Sequence, residues 1–216
     1  MAAEVEFWSG VGVDIETAKA TALVVTAISK ANPGVATYTG TDPIEGSYVL
    51  IKAAGMEDVD DRVFRVGTVN GAGNTFELDG EDTTDYDTFT SGTAEVITFG
   101  ASMTNAQDID ASGGDPELQD ITTIHGKRRK QAPTVLSALS LKFGTLFNPA
   151  DPAIVEMAKA TRRKETRCAR LRFSGGTIMV FNCFPAASNA PTGTAQGPVK
   201  SPVSMEVQGS PTIYAD

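Results

Sequence analysis

The chain has 216 residues, 41 % hydrophobic and 21 % charged, which excludes a wholly disordered or collagen-like polymer and leaves room for one sizeable domain, or a domain with a small insert. Lys and Arg number 18 against 27 Asp and Glu, a formal charge of −9, and that balance argues against gripping nucleic acid by neutralising phosphates. One His and two Cys are too few for a His or Cys zinc site, and no apolar run approaches the ~18 residues needed to cross a bilayer.

The N-terminus, Met1 to Glu6, lacks the basic start and apolar stretch of a signal peptide, so a soluble, unexported chain is expected. Val11, Val13 and Ile15 alternate with Gly12, Asp14 and Glu16, the pattern of a strand with one face in a core. Leu23 to Ile28 is a second apolar, β-branched run. Residues 34 to 98 then hold thirteen acids against Lys52, Arg62 and Arg65, a net −10, while the bases of the remaining chain gather at Lys127 to Lys130 and between Lys159 and Arg172. Within the acidic segment, Val63 to Val69, the Asn70-Gly71-Ala72-Gly73-Asn74 turn and Thr75 to Leu78 read as strand, turn and strand. A compact β-module is expected over residues 26–97.

Residues 105–133, rich in Asp, Gly, Thr and Lys, show little periodicity and read as a long functional loop. Val135 to Phe147 reads as one strand with Val135, Leu139, Leu141 and Phe143 inward. Asp151 and Pro152 suit the cap and first position of a helix that buries Ile154, Met157, Ala158 and Thr161 and ends on Lys159, Arg162, Arg163 and Lys164. Cys168 to Phe173 and Thr177 to Phe184 flank Ser174-Gly175-Gly176. With the Gly pair as a two-residue turn, Leu171 faces Val180 and Phe173 faces Ile178 in the core. Arg170, Arg172, Met179 and Phe181 then share the other side, a mixed apolar and cationic surface of the kind a partner covers. Residues 185–202 form a Pro- and Gly-rich loop, and a last strand alternates Val203, Met205 and Val207 with Ser204, Glu206 and Gln208 before Gly209-Ser210-Pro211.

Chemistry is sparse. His125 lacks a Gly-x-Ser-x-Gly companion and reads as a loop histidine. The same hairpin register sets Cys168 opposite Cys183, but as a hydrogen-bonded pair ill suited to a disulfide, so two buried thiols are expected in a reducing compartment. Asp79-Gly80-Glu81-Asp82 with Asp85 and Asp87 departs from calcium-loop spacing. Lys127 to Lys130, without interleaved aromatics, reads as a partner-facing loop. Neither an enzyme nor a cofactor is expected.

The order of these elements, with Thr122-Thr123-Ile124-His125, the Asn148-Pro149-Ala150-Asp151-Pro152 helix start, the Phe173-Ser174-Gly175-Gly176-Thr177 turn and the terminal Val207-Gln208-Gly209-Ser210-Pro211-Thr212, resembles the major tail tube proteins of long-tailed, non-contractile bacteriophages. The acidic segment resembles a small β-module inserted in such virion proteins, through Lys30-Ala31-Asn32-Pro33, Arg62 to Val66, Asn74 to Leu78 and Tyr86 to Phe89. The resemblance implies a mainly β fold. A tail-tube β-sandwich or partly closed barrel with one flanking helix would span residues 1–25 and 98–216, and an inserted all-β module, residues 26–97, would lie on the tube exterior.

It further implies hexameric rings, joined edge to edge and stacked into a tube through which DNA passes without specific binding. The partners would be tape-measure, tail terminator and tail tip proteins, with no membrane, in a virion made in the host cytoplasm. Ser204, Glu206 and Gln208, with Ser140 and Lys142, would then face the lumen, Lys142 needing a nearby acid. Arg170, Arg172, Met179 and Phe181 would lie at subunit interfaces. Asp115, Glu117, Asp120, Lys127, Arg128, Arg129 and Lys130 would meet the neighbouring ring. The competing readings are a glycan-binding adhesin, which requires Tyr38, Tyr48 and Tyr86 exposed together, and a head decoration or connector protein.

Overall fold

The computed structural model of the protein describes residues 8–188 and 190–215, so the reading of Met1 to Glu6 lies outside the described residues. In chain order the strands are β1 (Gly12–Lys19), β2 (Leu23–Ile28), β3 (Val35–Thr39), β4 (Tyr48–Ala54), β5 (Arg62–Asn70), β6 (Thr75–Leu78), β7 (Ser91–Met103), β8 (Ala106–Ser112), β9 (Pro116–Asp120), β10 (Gln131–Leu136) and β11 (Ser140–Leu146). The helix α1 (Pro152–Arg163) follows, then β12 (Arg167–Arg172), β13 (Ile178–Ala187) and β14 (Lys200–Tyr214).

The mainly β fold is organised by the long strand β7. Its first part pairs with β4 and β2, closing β2-β3-β6-β5-β4-β7 into a six-stranded barrel that has no open side. Its last part pairs with β1 and continues the sheet through β1-β12-β13-β14-β11-β8. The barrel is filled by Tyr38, Phe64, Phe76 and Leu78, all at 0–1 % exposure. On one face of the open sheet α1 inserts Ile154 and Met157 against Val13, Leu141, Phe143, Phe181 and Met205. On the other face, Cys168, Val180 and Tyr214 meet Tyr48, Leu50 and Val63 of the barrel strands.

The helix starts where its sequence dictates. The Asp151 carboxylate accepts hydrogen bonds from the N–H groups of Ala153 and Ile154 at 3.0 and 3.4 Å, and the buried stripe is Ile154, Met157 and Ala158. The strand, turn and strand of residues 62–78 also form as read, with Asn74 at φ +49° closing the turn.

The hairpin of β12 and β13 departs from expectation. Its loop is the three residues 174–176, closed by bonds from Phe173 N–H to Thr177 O and from Gly176 N–H to Phe173 O, with Gly176 at φ +99°. A three-residue loop ending in a left-handed glycine shifts the register by one relative to a two-residue turn, and a shift of one transfers a strand's side chains to the other face. Leu171 therefore pairs with Met179, and Ala169 with Phe181. Phe181, fully buried, belongs to the helix-side core, where its burial contributes about 2 kcal/mol. Neither Met179 nor Phe181 shares the side of Arg170 and Arg172, and Phe181 offers no surface to a partner.

The shift also separates the cysteines. Cys168 pairs with Asn182 and Cys183 with Arg167, placing the two free, buried thiols on opposite faces. Burial pushes both thiols up, with the Glu16 carboxylate adding to the effect. At neutral pH the folded chain is expected to take up no maleimide, whereas the unfolded chain takes up two equivalents. Mass spectrometry checks this, and stoichiometric labelling of the native chain would contradict it.

Three further segments are corrected. Residues 105–133 contain β8, β9 and the start of β10. Val135 belongs to β10, apart from β11, so Val135 to Phe147 is not one strand. The last strand does not stop at Gly209, which turns at φ +66° while β14 continues to Tyr214. There the Tyr214 hydroxyl accepts from Arg65 N–H at 2.6 Å, tying the end of the sheet to the barrel.

Candidate functional site

Two surfaces, one on the open sheet and one on an arm beyond it, concentrate the expected lumen and inter-ring residues. The first is a polar face. Antiparallel pairing puts Ser140 opposite Glu206 and Lys142 opposite Ser204, while Gln208 lies two residues further along β14, opposite Asn182. Directly paired residues share a face, so all five project on the side away from α1. Ser140 Oγ donates to Glu206 Oε1 at 2.9 Å, and Gln208 Nε2 donates to the Glu206 carbonyl at 3.3 Å.

The acid that Lys142 requires is present on β8, whose Asp110 is its direct cross-strand neighbour. Asp108, two residues away, accepts from Gly144 N–H at 2.8 Å and lies 3.8 Å from Lys200 Nζ. Asp108, Asp110 and Glu206 thus accompany Lys142 and Lys200, leaving the face weakly acidic. An open groove of about 550 Å³ borders it, lined by Asp108, Asp110, Lys142, Pro202 and Ser204 and reaching round to Thr161 of α1. Asp108 and Asp110 are not among the residues expected from sequence, since β8 lies in a stretch with loop composition, although Asp108-Ile109-Asp110 carries a short period-2 signal of a strand.

The second surface is an arm. Beyond β8 and β11 the chain continues as β9 and β10, which among the described residues pair only with each other. Gly113 and Gly114, at φ +91° and +84°, turn the arm out of the sheet. A Cβ on Gly113 would collide with the carbonyl oxygen of Ala138. Asp115 at the base accepts from Ser137 through its carbonyl, and Glu117 accepts from Thr134 Oγ1 likewise. Nearer the tip, Asp120 binds Thr122 N–H and Arg129 Nε, both at 2.8 Å. Bonds from Thr122, then Arg129, hold its carboxyl below the usual range.

Lys127, Arg128 and Lys130 are exposed at the tip, and among the described residues none is paired with an acid. His125 is exposed beside them. Leu118, Ile121, Ile124, Val135 and Leu136 are exposed as well, Ile124 at 96 %. An isolated two-stranded hairpin is at best marginally stable in water, so this apolar content calls for a covering surface.

The arginines of β12 are paired within the chain. Asp14, 3 % exposed, lies on the face of β1 that the alternation had left polar. Its carboxylate accepts from Arg170 Nη2 at 2.8 Å, Arg172 Nε at 2.8 Å and Ser102 Oγ at 2.7 Å. Burial opposes its ionisation, but the bonds from Ser102, Arg172 and Arg170 outweigh that and hold the carboxyl below its ordinary value. Arg170 also lies over the rings of Phe99 at 4.8 Å and Tyr48 at 5.5 Å. It is an internal bridge between sheet and barrel, whereas the Arg172 side chain remains half exposed.

The aromatic platform required of a glycan adhesin is absent from this arrangement. Tyr38 is buried in the barrel, Tyr48 in the junction, and Tyr86 is bonded to Glu81. Of the acids considered for calcium, Asp79 pairs with Arg65 and Glu81 with Arg62. Among the described residues no cluster of three His, Cys, Asp or Glu is placed to hold a metal ion, and no helix is long and apolar enough to cross a membrane.

A family model described as phage tail tube protein, TTP, matches residues 54–216, a span from the end of β4 to the chain's last residue that includes both surfaces. No curated protein matches the chain.

Proposed function

Because the chain belongs to the phage tail tube protein family, the structural proteins of the virion tail, we propose that it assembles into stacked hexameric rings forming the DNA conduit of a long, non-contractile tail. The observation that carries this reading is the weakly acidic polar face of β14, β11 and β8, opposite a fully packed helix-side core. Turned inward, Ser204, Glu206, Gln208, Ser140 and Lys142 line the bore. A cationic bore would hold phosphates at every ring, whereas one in which Asp110 offsets Lys142 lets the duplex pass.

The outer edge of β8 has no partner among the described residues, and an unpaired edge is a template for another chain. A ring of copies gives it one. Arg172 and Met179, the interface candidates that keep exposed surface, lie at the flank, and the arm, with Asp115 to Lys130, reaches the next ring. The barrel, whose strands cover the proposed module of residues 26–97, packs on the same side of the sheet as this polar face, at Cys168, Val180 and Tyr214, so an exterior place for it requires the bore to be lined by the β8 and β11 end of the face, away from the barrel. Tape-measure, terminator and tip proteins complete the tail.

The concentrated protein is expected to form hollow tubes with six-fold end views in electron microscopy. Gly113→Val, which strains the arm's base, is expected to abolish stacking and leave the far-ultraviolet circular dichroism of the chain nearly unchanged. Six-fold tubes whose inner wall is α1, or persistently monomeric protein, would refute the reading.

A further inference from the structure

The arm tip joins exposed apolar side chains to unpaired cations, and a matching surface exists elsewhere on the same chain. At the barrel rim, a groove of about 410 Å³ runs between residues 20–23 and 40–44. Leu23, Pro43, Ile44 and Val96 supply its apolar wall, with Ile44 at 77 % exposure. Asp42 lines the groove, and Glu45, exposed, follows Ile44. One Asp42 oxygen accepts from the Tyr38 hydroxyl at 2.8 Å, which fixes the carboxylate at the rim. The groove is therefore apolar with an acidic border, whereas the arm tip presents Ile121 and Ile124 beside Lys127, Arg128 and Lys130.

We propose that the arm tip of one copy docks in the barrel-rim groove of a second copy, Ile124 entering beside Ile44 and the tip cations meeting Asp42 and Glu45. The two surfaces are complementary in polarity and in sign of charge, and both are exposed on the single chain. Like charges at the tip and along the acidic barrel disfavour tip-to-tip and barrel-to-barrel pairing, so the contact has a direction. A contact between two different patches propagates from copy to copy rather than closing a dimer. This inference rests on the tube reading and gives the barrel a part in assembly as well as a place outside the bore.

The test uses the full chain carrying Ile44→Cys and Ile124→Cys, both at exposed positions, with a short bismaleimide. The native Cys168 and Cys183 are buried. Assembled protein is expected to give a ladder of cross-linked dimers, trimers and longer species, and Ile213→Cys in place of Ile44→Cys is expected to give none. Ile44→Glu and the triple change Lys127→Glu, Arg128→Glu, Lys130→Glu should each raise the concentration needed for stacking by about tenfold or more. Raising salt from about 0.1 M to about 1 M, which shortens the screening length from about 10 Å to about 3 Å, should weaken wild-type stacking. Tubes that form without a ladder, with both variants stacking at the wild-type concentration, would overturn this contact and leave the tube reading standing. A wild-type chain that stays monomeric, together with a double-cysteine variant that gives no ladder, would overturn both.

Discussion

Replacing Asp14 with alanine is expected to destabilise the folded chain by about 3 kcal/mol, the size associated with stripping one partner from a largely buried ion cluster. The change leaves Arg170 and Arg172 without the carboxylate that both share, and Arg170, 22 % exposed and held between Phe99 and Tyr48, is poorly placed to recover the loss from water. The exposed pair of Glu156 and Lys159 offers the contrast, because Lys159→Ala should change stability by no more than about 0.5 kcal/mol. Urea denaturation of dilute protein measures both. A loss under about 1 kcal/mol at Asp14 would mean that the arginines are hydrated without it.

The same carboxylate gives a dependence on pH. Its folded value lies below its unfolded one, so its stabilisation is fully present above an unfolded value of about 3.9 and disappears as pH falls through the depressed folded value. Asp14→Asn should therefore flatten this part of the acid limb of the stability profile. An acid limb as steep as that of the wild type would assign the loss to other carboxylates.

Asp151→Ala is expected to cost about 3 kcal/mol, more than the ~1 kcal/mol of an ordinary helix cap. One oxygen of Asp151 caps α1, and the other binds Thr104 N–H at 3.0 Å, Thr104 Oγ1 at 2.9 Å and Asn105 Nδ2 at 3.2 Å. A single side chain, 1 % exposed, thus fixes the helix start and the link from β7 to β8. Its removal leaves several donors in a site with little water, at a further ~1 to 3 kcal/mol. At roughly 2 to 4 °C per kcal/mol for a chain of this size, the melting temperature should fall by about 6 to 12 °C. Asp151→Asn keeps one acceptor and should recover part of it, and a loss no greater than that of a surface cap would show the Thr104 contacts to be dispensable.

Asp151 illustrates how far local chemistry reaches. An N-cap acts on N–H groups two and three residues away, so Asp151-Pro152 was legible from neighbours alone, as was the turn between β5 and β6. The second set of bonds comes from Thr104 and Asn105, more than forty residues earlier, and no local pattern announces it. The polar side of β14 was legible from its alternation. Its counter-charges Asp108 and Asp110 were not, because β8 has Ile109 as its one large apolar residue, and a single alternation does not stand out from loop.

The helix and its cap, the alternating faces of β1 and β14, the concentration of acid in residues 34–98 and the scarcity of catalytic or metal-binding residues all follow from the order of residues, because each is a local or compositional property. Tertiary structure alone decided which residues those faces meet. A period of two sorts side chains into two sets without saying where either set points, and a turn longer by one residue at Gly176 exchanges the sets on β13, carrying Phe181 into the core. Polarity was equally ambiguous at Asp14, because a strand covered on both sides buries its polar set too, and the partners that make this tolerable lie on β12 and β7, far along the chain.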